Sequence, residues 1–424
     1  MEIEQLYNAF LKSSGVCTDT RKITPNCFFV ALKGTHFNGN RFATDALENG
    51  AATAMVDEGE FHIPGKTVLV EDCLMALQKL GTFHRDKLGL PIVALTGSNG
   101  KTTTKELIAA VLAKKYRTKA TKGNLNNHIG VPLTLLSFTP ETEFGVVEMG
   151  ANHQGEIATL CNIAKPDYGY ITNFGKAHLE GFGGIEGVIK GKTEMYRHLE
   201  KNDKSLFVNA ADPLQLKHTE SANRILFGPE GDSIVTLLNA KNELVVSFQG
   251  IEIKSQMVGL YNFHNIAAAI AIGHYFNVPT KNIQEAIEEY APSNNRSQRL
   301  QQQGHSILLD AYNANPTSMM AALENFRQAA GSNKTLILGD MFELGLEAAR
   351  EHQNVTTYLE QNPFATVYLV GENFYKTQTA AEHIKQFKNF EEFSAYLAEN
   401  PLSKSALLIK GSRGMALERV LDLL

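Results

Sequence analysis

Residues 92–116 read IVALTGSNGKTTTKELIAAVLAKKY, and this stretch decides the fold. IVAL (92–95) is a short apolar run of the kind that forms a buried strand, and the helical segment after it puts Leu107, Ile108, Val111 and Leu112 on one face. Between them lies Thr96-Gly97-Ser98-Asn99-Gly100-Lys101-Thr102-Thr103, in the strand-to-helix context of a phosphate-binding loop. Glycines let backbone N–H groups close around phosphate oxygens, Lys101 supplies a point charge for the β and γ phosphates, and Thr102 offers a hydroxyl to Mg2+. The usual longer loop begins on glycine where this chain has Leu95, so the loop is a short G-x-x-G-K-T form. A glycine turn that merely caps a helix is disfavoured, because strand, loop, Lys-Thr pair and helix agree.

Outward from the loop, FGVVE (144–148), YGYIT (168–172) and SLFVN (205–209) read as strands. The spacing between them suits crossovers and suggests a largely parallel sheet. A Mg2+-bound triphosphate needs a carboxylate near the loop threonine, at the C-terminal end of a neighbouring strand. Glu148 fits, since it ends FGVVE and precedes the turn Met149-Gly150-Ala151-Asn152. A strand-end acid alone is more often a solvated cap; the upstream loop reverses that balance. His178, in ITNFGKAHLEGFGG, follows a strand among glycines that would let a ligand approach, although a lone histidine is usually structural. Lys192, in KGKTEMY, reads by itself as a solvated helix lysine.

Upstream, CFFVAL (27–32), ATAMV (52–56) and TVLV (67–70) read as strands, with helices expected at the start, around 42–49 and over 73–87. Gly89 and Pro91 then punctuate the chain. Residues 234–258 suggest a small antiparallel run, a helix over 262–276 follows, and the polar APSNNRSQ (291–298) breaks the periodicity. Beyond it ILLD (307–310), TLILGD (335–340), TVYLVG (366–371) and ALLIKG (406–411) alternate with helices expected over 317–330, 347–361 and at the C-terminus. Asp310, Asp340 and Lys410 each sit where a strand has just ended, the edge at which open α/β sheets bind ligands. The expected fold is α/β in three domains: a small α/β domain (1–88), a central P-loop mononucleotide-binding parallel-sheet domain (89–291) and a Rossmann-like domain (292–424).

Length agrees, since 424 residues are more than the ~100–200 one domain usually takes. Hydrophobic residues at 43% and charged residues at 20%, with scattered glycine and proline, exclude disordered and fibrous classes. A net charge of −5 argues against gripping a nucleic-acid backbone over a large face, leaving room for a local basic site. Cys17, Cys27, Cys73 and Cys161 are dispersed and form no C-x-x-C pair, so reduced, partly buried thiols are expected. The N-terminus lacks a secretory pattern, and nothing approaches the ~18 apolar residues of a membrane span. A soluble, cytoplasmic protein with no nucleic-acid partner is expected.

Taken in order, TGSNGKTT, VVEMGAN with Glu148, TNFGKAHLEGFG with His178, GKTE around Lys192, VNAADP (208–213) and GLYNFHN (259–265) resemble the Mur ligase family. These are ATP-dependent amide-forming enzymes of bacterial cell-wall precursor synthesis, and the resemblance spans nearly the whole chain. EMGANHQGEI (148–157), AHLEGFGG (177–184), LLDAYNANPTSM (308–319), LGDMFELG (338–345) and KGSR (410–413) resemble the member type that joins D-alanyl-D-alanine to UDP-N-acetylmuramoyl-tripeptide.

The resemblance implies roles by position. Lys101 would bind the γ phosphate, with Gly97, Asn99, Gly100 and Thr103 completing the ATP loop. Thr102 and Glu148 would hold one Mg2+ and His178 a second. Lys192 matches the lysine that the family carbamoylates into an acidic ligand for that second ion; CO2 attacks only a neutral amine, so burial or a nearby cation must lower its pKa. Asn262 and Asn265 would contact adenine, and Arg296 and Asp310 would reach over the phosphates and ribose. Asn124, Asn126 and Asn127 would face the muramoyl part. Thr20 and Arg21 of TDTR, with Asn38 in KGTHFNGN (33–40), match the UDP-binding region. Asn313, Asn315 and Glu343 are candidates for the dipeptide. One departure is Tyr261, where the family's G-x-H-N string carries histidine. The third domain is expected to close on ATP and bring the amine, in a monomer. Three rival readings fit less well. The ligase adding the third peptide residue carries a D-N-P-R string absent here, folylpolyglutamate synthase would not explain TDTR and VALKG, and a P-loop switch or motor fits poorly with the acidic balance.

Overall fold

The computed structural model describes residues 2–228, 231–241, 243–329 and 333–424. Its frame is three mainly parallel sheets in series. The first has the order Val16–Cys17, Phe28–Val30, Thr53–Val56, Thr67–Leu69, parallel throughout. Helix Cys73–Leu88 follows, begun by the Asp72 carboxylate accepting from Met75 N and stopped by Gly89 in the left-handed region at φ 63°. Leu77 and Leu80 are its buried stripe. The same helix fastens the first sheet to the next: Thr82 Oγ1 donates to Ile163 O at 2.9 Å, and Arg85 pairs with Asp167 at 2.7 Å.

The central sheet runs Asn223–Phe227, Ser205–Asn209, Tyr168–Ile171, Ile92–Thr96, Phe144–Glu148, Thr118–Ala120, and every pairing is parallel. Strand Ile92–Thr96 is buried along its whole length and stands where the strand order reverses, the switch point at which such sheets bind ligands. Helix Lys101–Ala113 packs on helix Phe263–Tyr275, whose residues Asn265 to Gly273 are all buried. The two helices approach so closely that a Cβ on Gly273 would stand 2.3 Å from Val111 Cγ1. Each fully buried Ile, Leu or Val here contributes about 1.5–3 kcal/mol.

A small antiparallel sheet, Val235–Asn239, Val245–Phe248 and Ile251–Lys254, occupies the expected run 234–258, in which Asn242 lies outside the described residues. The third sheet has the order Gln298–Gln302, His305–Asp310, Ala406–Lys410, Lys334–Gly339, Thr366–Val370, Ile384–Phe387. Only its first strand is antiparallel. The helix expected over 317–330 forms as Pro316–Gln328, and Ala330 lies outside the described residues. All four cysteines are free and buried. No helix among the described residues is long and apolar enough to cross a membrane.

The C-terminal segment departs from expectation. Instead of an α-helix it forms 3-10 turns over Arg413–Met415 and Leu417–Leu423. Arg419 N closes on Ala416 O three residues back, the 3-10 pattern, and the segment is entered from Ala416 in left-handed backbone at φ 47°, which breaks helical continuity.

Candidate active site

The phosphate loop is held open by its glycines and by strand Tyr168–Ile171. Gly97 has φ 146° and a Cβ there would stand 1.9 Å from Thr172 Oγ1, so only glycine fits. Ser98 N donates to Asn173 O at 3.0 Å, Thr172 Oγ1 donates to Asn99 O at 2.6 Å, and Lys101 Nζ folds back onto Gly97 O at 2.7 Å. Burial pushes the Lys101 ammonium down, opposed by the charge of Glu148 and aided by that of Arg296, which sets all three around one space. Thr102 follows on the first helical turn and is buried.

That space is a cavity of about 1030 Å³ at the C-terminal ends of two sheets. From the central sheet it receives Glu148, which is 1% exposed: Oε1 accepts from Asn126 Nδ2 at 2.8 Å, while Oε2 is buried with no partner. An unsatisfied buried carboxylate oxygen calls for a cation or donor that arrives with the ligand. His178 reaches the cavity from a left-handed residue at φ 53°, and its Nδ1 lies 2.5 Å from Glu343 Oε2. His178 in turn holds the Glu343 carboxyl below its usual range. From the third sheet come Asp310 and Lys410, neighbours in register whose side chains pair at 2.5 Å, and Arg296, whose guanidinium lies 3.6 Å over the Tyr312 ring.

The two halves touch. Asn315 begins helix Pro316–Gln328 with a capping box, and its Nδ2 donates to Asn99 Oδ1 of the loop at 2.7 Å. Lys176 pairs with Glu351 at 2.7 Å, and its N–H donates to Thr317 Oγ1 at 2.9 Å.

Of the residues expected from the sequence, Asn99, Gly100, Lys101, Thr102, Thr103, Asn124, Asn126 and Asn127 line this cavity, as do Glu148, His178, Asn262, Asn265, Arg296, Asp310 and Asn313. The amides of Asn262 and Asn265 are held within the protein: Asn262 Nδ2 donates to Val258 O at 2.8 Å, Asn265 Nδ2 donates to Asn262 Oδ1 at 2.8 Å and Asn265 Oδ1 accepts from Thr104 Oγ1 at 3.0 Å. Thr20, Arg21 and Asn38 belong to the first sheet's part of the chain and do not line the cavity. Arg21 pairs with Asp19, and Asn38 donates to Glu58. Lys192 does not line it either. It is not the solvated lysine its spacing suggests: it is 0% exposed, its Nζ has no partner, and it sits 5.3 Å from the centre of the Phe182 ring. Burial, then the charge of Lys101, drives its ammonium well below the usual range. Glu156, Ser297, Thr317 and Ser318 also line the cavity, and no motif in the sequence marks them as ligand-facing. The capping string N-P-T-S at 315–318 was the one local signal for the last two.

A phosphate loop, an orphan carboxylate beside it and a second sheet edge on the same space make a nucleotide site shared between separate α/β units. The Mur ligase family catalytic domain matches residues 12–71, the Mur ligase middle domain 95–273, and the Mur ligase glutamate ligase domain 295–413. The UDP-N-acetylmuramoyl-tripeptide--D-alanyl-D-alanine ligase of Bacillus subtilis is 33% identical over 96% of this chain and 92% of its own length. MurF from Acinetobacter baumannii superposes with a TM-score of 0.88 at 30% identity, covering 99% of this chain and 98% of that one. MurF from Thermotoga maritima in complex with ADP gives 0.83 at 28% identity, covering 98% and 97%. The chain belongs to the Mur ligase family.

Proposed function

We propose that this chain joins D-alanyl-D-alanine to UDP-N-acetylmuramoyl-tripeptide at the expense of ATP, releasing ADP and phosphate. The observation that carries this reading is the single cavity on which the loop, the free Glu148 oxygen and the third-sheet edge converge, in a chain whose near-full-length relatives bear that name. A carboxylate is a poor electrophile, and amide formation from it is uphill in water. Transfer of the γ-phosphoryl group to the terminal carboxylate of the tripeptide gives an acyl phosphate and ADP. The neutral amine of the dipeptide then adds to the acyl carbon, and the tetrahedral intermediate expels phosphate to leave the amide.

Lys101 and Arg296 oppose the negative charge of the transferred group. Mg2+ is a hard cation that prefers oxygen, and the orphan Glu148 oxygen with the Thr102 hydroxyl supports a site for one ion; a second would be held by His178 with a carbamoylated Lys192, whose anionic oxygen the unmodified amine lacks. Bound there, Mg2+ neutralises charge on the phosphates. The neutral Lys192 amine that burial enforces is the form able to take up CO2. Asn124, Asn126 and Asn127 would face the muramoyl part, Asn262 and Asn265 the adenine, and Asn313 the dipeptide. Thr20, Arg21 and Asn38 on 1–88 would take the UDP end.

Phosphate release should require ATP, the UDP-tripeptide and the dipeptide together; release independent of both acceptor substrates would sink the reading. Residues 292–424 would close on ATP bound to 89–291, excluding water from the acyl phosphate. Small-angle scattering should therefore report a monomer whose radius of gyration shrinks with nucleotide and UDP substrate. Unchanged dimensions would count against closure.

A further inference from the structure

We propose that Tyr261 is a positioning residue that sets the nucleotide contact of Arg296 by way of Ser297. Tyr261 lines the cavity from the 3-10 turn Leu260–Asn262, next to Asn262, which the nucleotide reading sets against the adenine. Its ring lies across Gly259, where a Cβ would come within 2.4 Å of Tyr261 Cε1, so glycine at 259 is what lets the ring lie there. From that seat its hydroxyl meets Ser297 Oγ at 2.8 Å. Among the described residues this is the side-chain hydrogen bond that ties the linker 291–298 to the nucleotide-side turn.

The linker needs that tie. Asn294, Asn295 and Ser297 all hold left-handed backbone, at φ 58°, 57° and 47°. Asparagine tolerates this region and serine does so less well, so the backbone at 297 is strained. Ser297 is gripped from two sides: its N–H donates to Asp310 Oδ1 at 3.0 Å, and its hydroxyl meets Tyr261. Asp310 is itself fixed by Lys410. Arg296 shares a peptide bond with this strained residue. Its guanidinium is stacked on Tyr312, yet its Nε is buried without a partner beside the cavity. A donor left unsatisfied in that way is satisfied by a ligand. Loss of the Tyr261 hydroxyl frees Ser297 to relax, and the aim of Arg296 shifts with it. The effect is on nucleotide binding, because Tyr261 and Ser297 act only on that end of the cavity.

The inference rests on the nucleotide reading above, and a double-mutant cycle separates the two. Tyr261→Phe should raise the KM for ATP and the Kd for ADP about fivefold, the size of one neutral hydrogen bond, with the KM for UDP-tripeptide held within twofold. Ser297→Ala should give the same rise, and the double variant no more than either single one. Additive rises, an equal loss on every substrate, or an unchanged ADP affinity would overturn the coupling. If the unaltered chain binds ADP but forms no amide, the ligase reading fails while the ADP cycle still decides the role of Tyr261. A chain that binds no ADP overturns both.

Discussion

Lys192→Ala should reduce amide formation by on the order of a thousandfold, the scale on which a buried electrostatic stabiliser acts, without unfolding the protein. Lys192 ends helix Ile185–Lys192, is wholly buried, and offers an amine with no hydrogen-bond partner above the face of Phe182. Leaving a charged ammonium there costs several kcal/mol, so the group gives up its proton instead. A neutral, unpartnered amine brings neither an ion pair nor a hydrogen bond to stability, so its expected role is chemical. It can add to CO2, forming the C–N bond of a carbamate and releasing one proton, which exchanges a silent group for an anionic oxygen donor. Two substitutions then separate stability from function. Lys192→Met, similar in shape and apolar, should raise the apparent Tm by a few degrees while abolishing turnover. Lys192→Ala leaves a cavity that acetate or propionate can enter, and partial rescue by either is expected. Protein equilibrated with 13C-bicarbonate should show one carbamate carbon signal that the Ala variant lacks. Wild-type turnover in Lys192→Ala would end the assignment, as would the absence of both signal and rescue.

Lys192 also marks the limit of what the sequence discloses. The phosphate loop was legible because strand, glycines, Lys101 and helix are contiguous, and local pattern determines each of them. Lys192 looked like any lysine at a helix end, since its burial comes from Phe182 and the helices packed over it. The same reason hid Ser297, inside the break APSNNRSQ, and the strand Gln298–Gln302 that starts at its end, since QRLQQ is polar. It pairs only on one side, as an edge strand against His305–Asp310, and so has no apolar run to announce it. Likewise the Tyr261–Ser297 and His178–Glu343 contacts join segments far apart in sequence, and only the fold brings them to one cavity. The C-terminal segment is entered from the left-handed Ala416 and continues as 3-10 turns, a backbone detail that periodicity does not contain.

Glu148→Gln should cut turnover sharply while reversing the sign of an electrostatic term in nucleotide binding. The side chain is almost fully buried at the end of strand Phe144–Glu148; one oxygen is occupied by Asn126 Nδ2 and the other is free. Glutamine keeps the acceptor for Asn126, and the backbone bond from Glu148 N to Thr121 Oγ1 is untouched, so the fold should survive with little change in Tm. What is lost is one negative charge facing the space over the loop. Without Mg2+ that charge repels the phosphates, and like charges a few ångströms apart in a partly dry site cost more than about 1 kcal/mol. Metal-free ADP should therefore bind Glu148→Gln a few times more tightly than it binds the unaltered chain. With Mg2+ the charge becomes a ligand, and its removal should erase the gain in affinity that the metal brings and cost on the order of 10^2–10^3 in turnover. Lys101 responds in the same sense: with Glu148 neutral, the group that opposes its downward shift is gone, and its ammonium is less well held when no nucleotide is present. Calorimetric titration of ADP with and without Mg2+ reads both signs at once. Equal affinities in the two proteins without metal, together with an intact Mg2+ effect, would show that Glu148 faces no metal and that its free oxygen is an accident of packing.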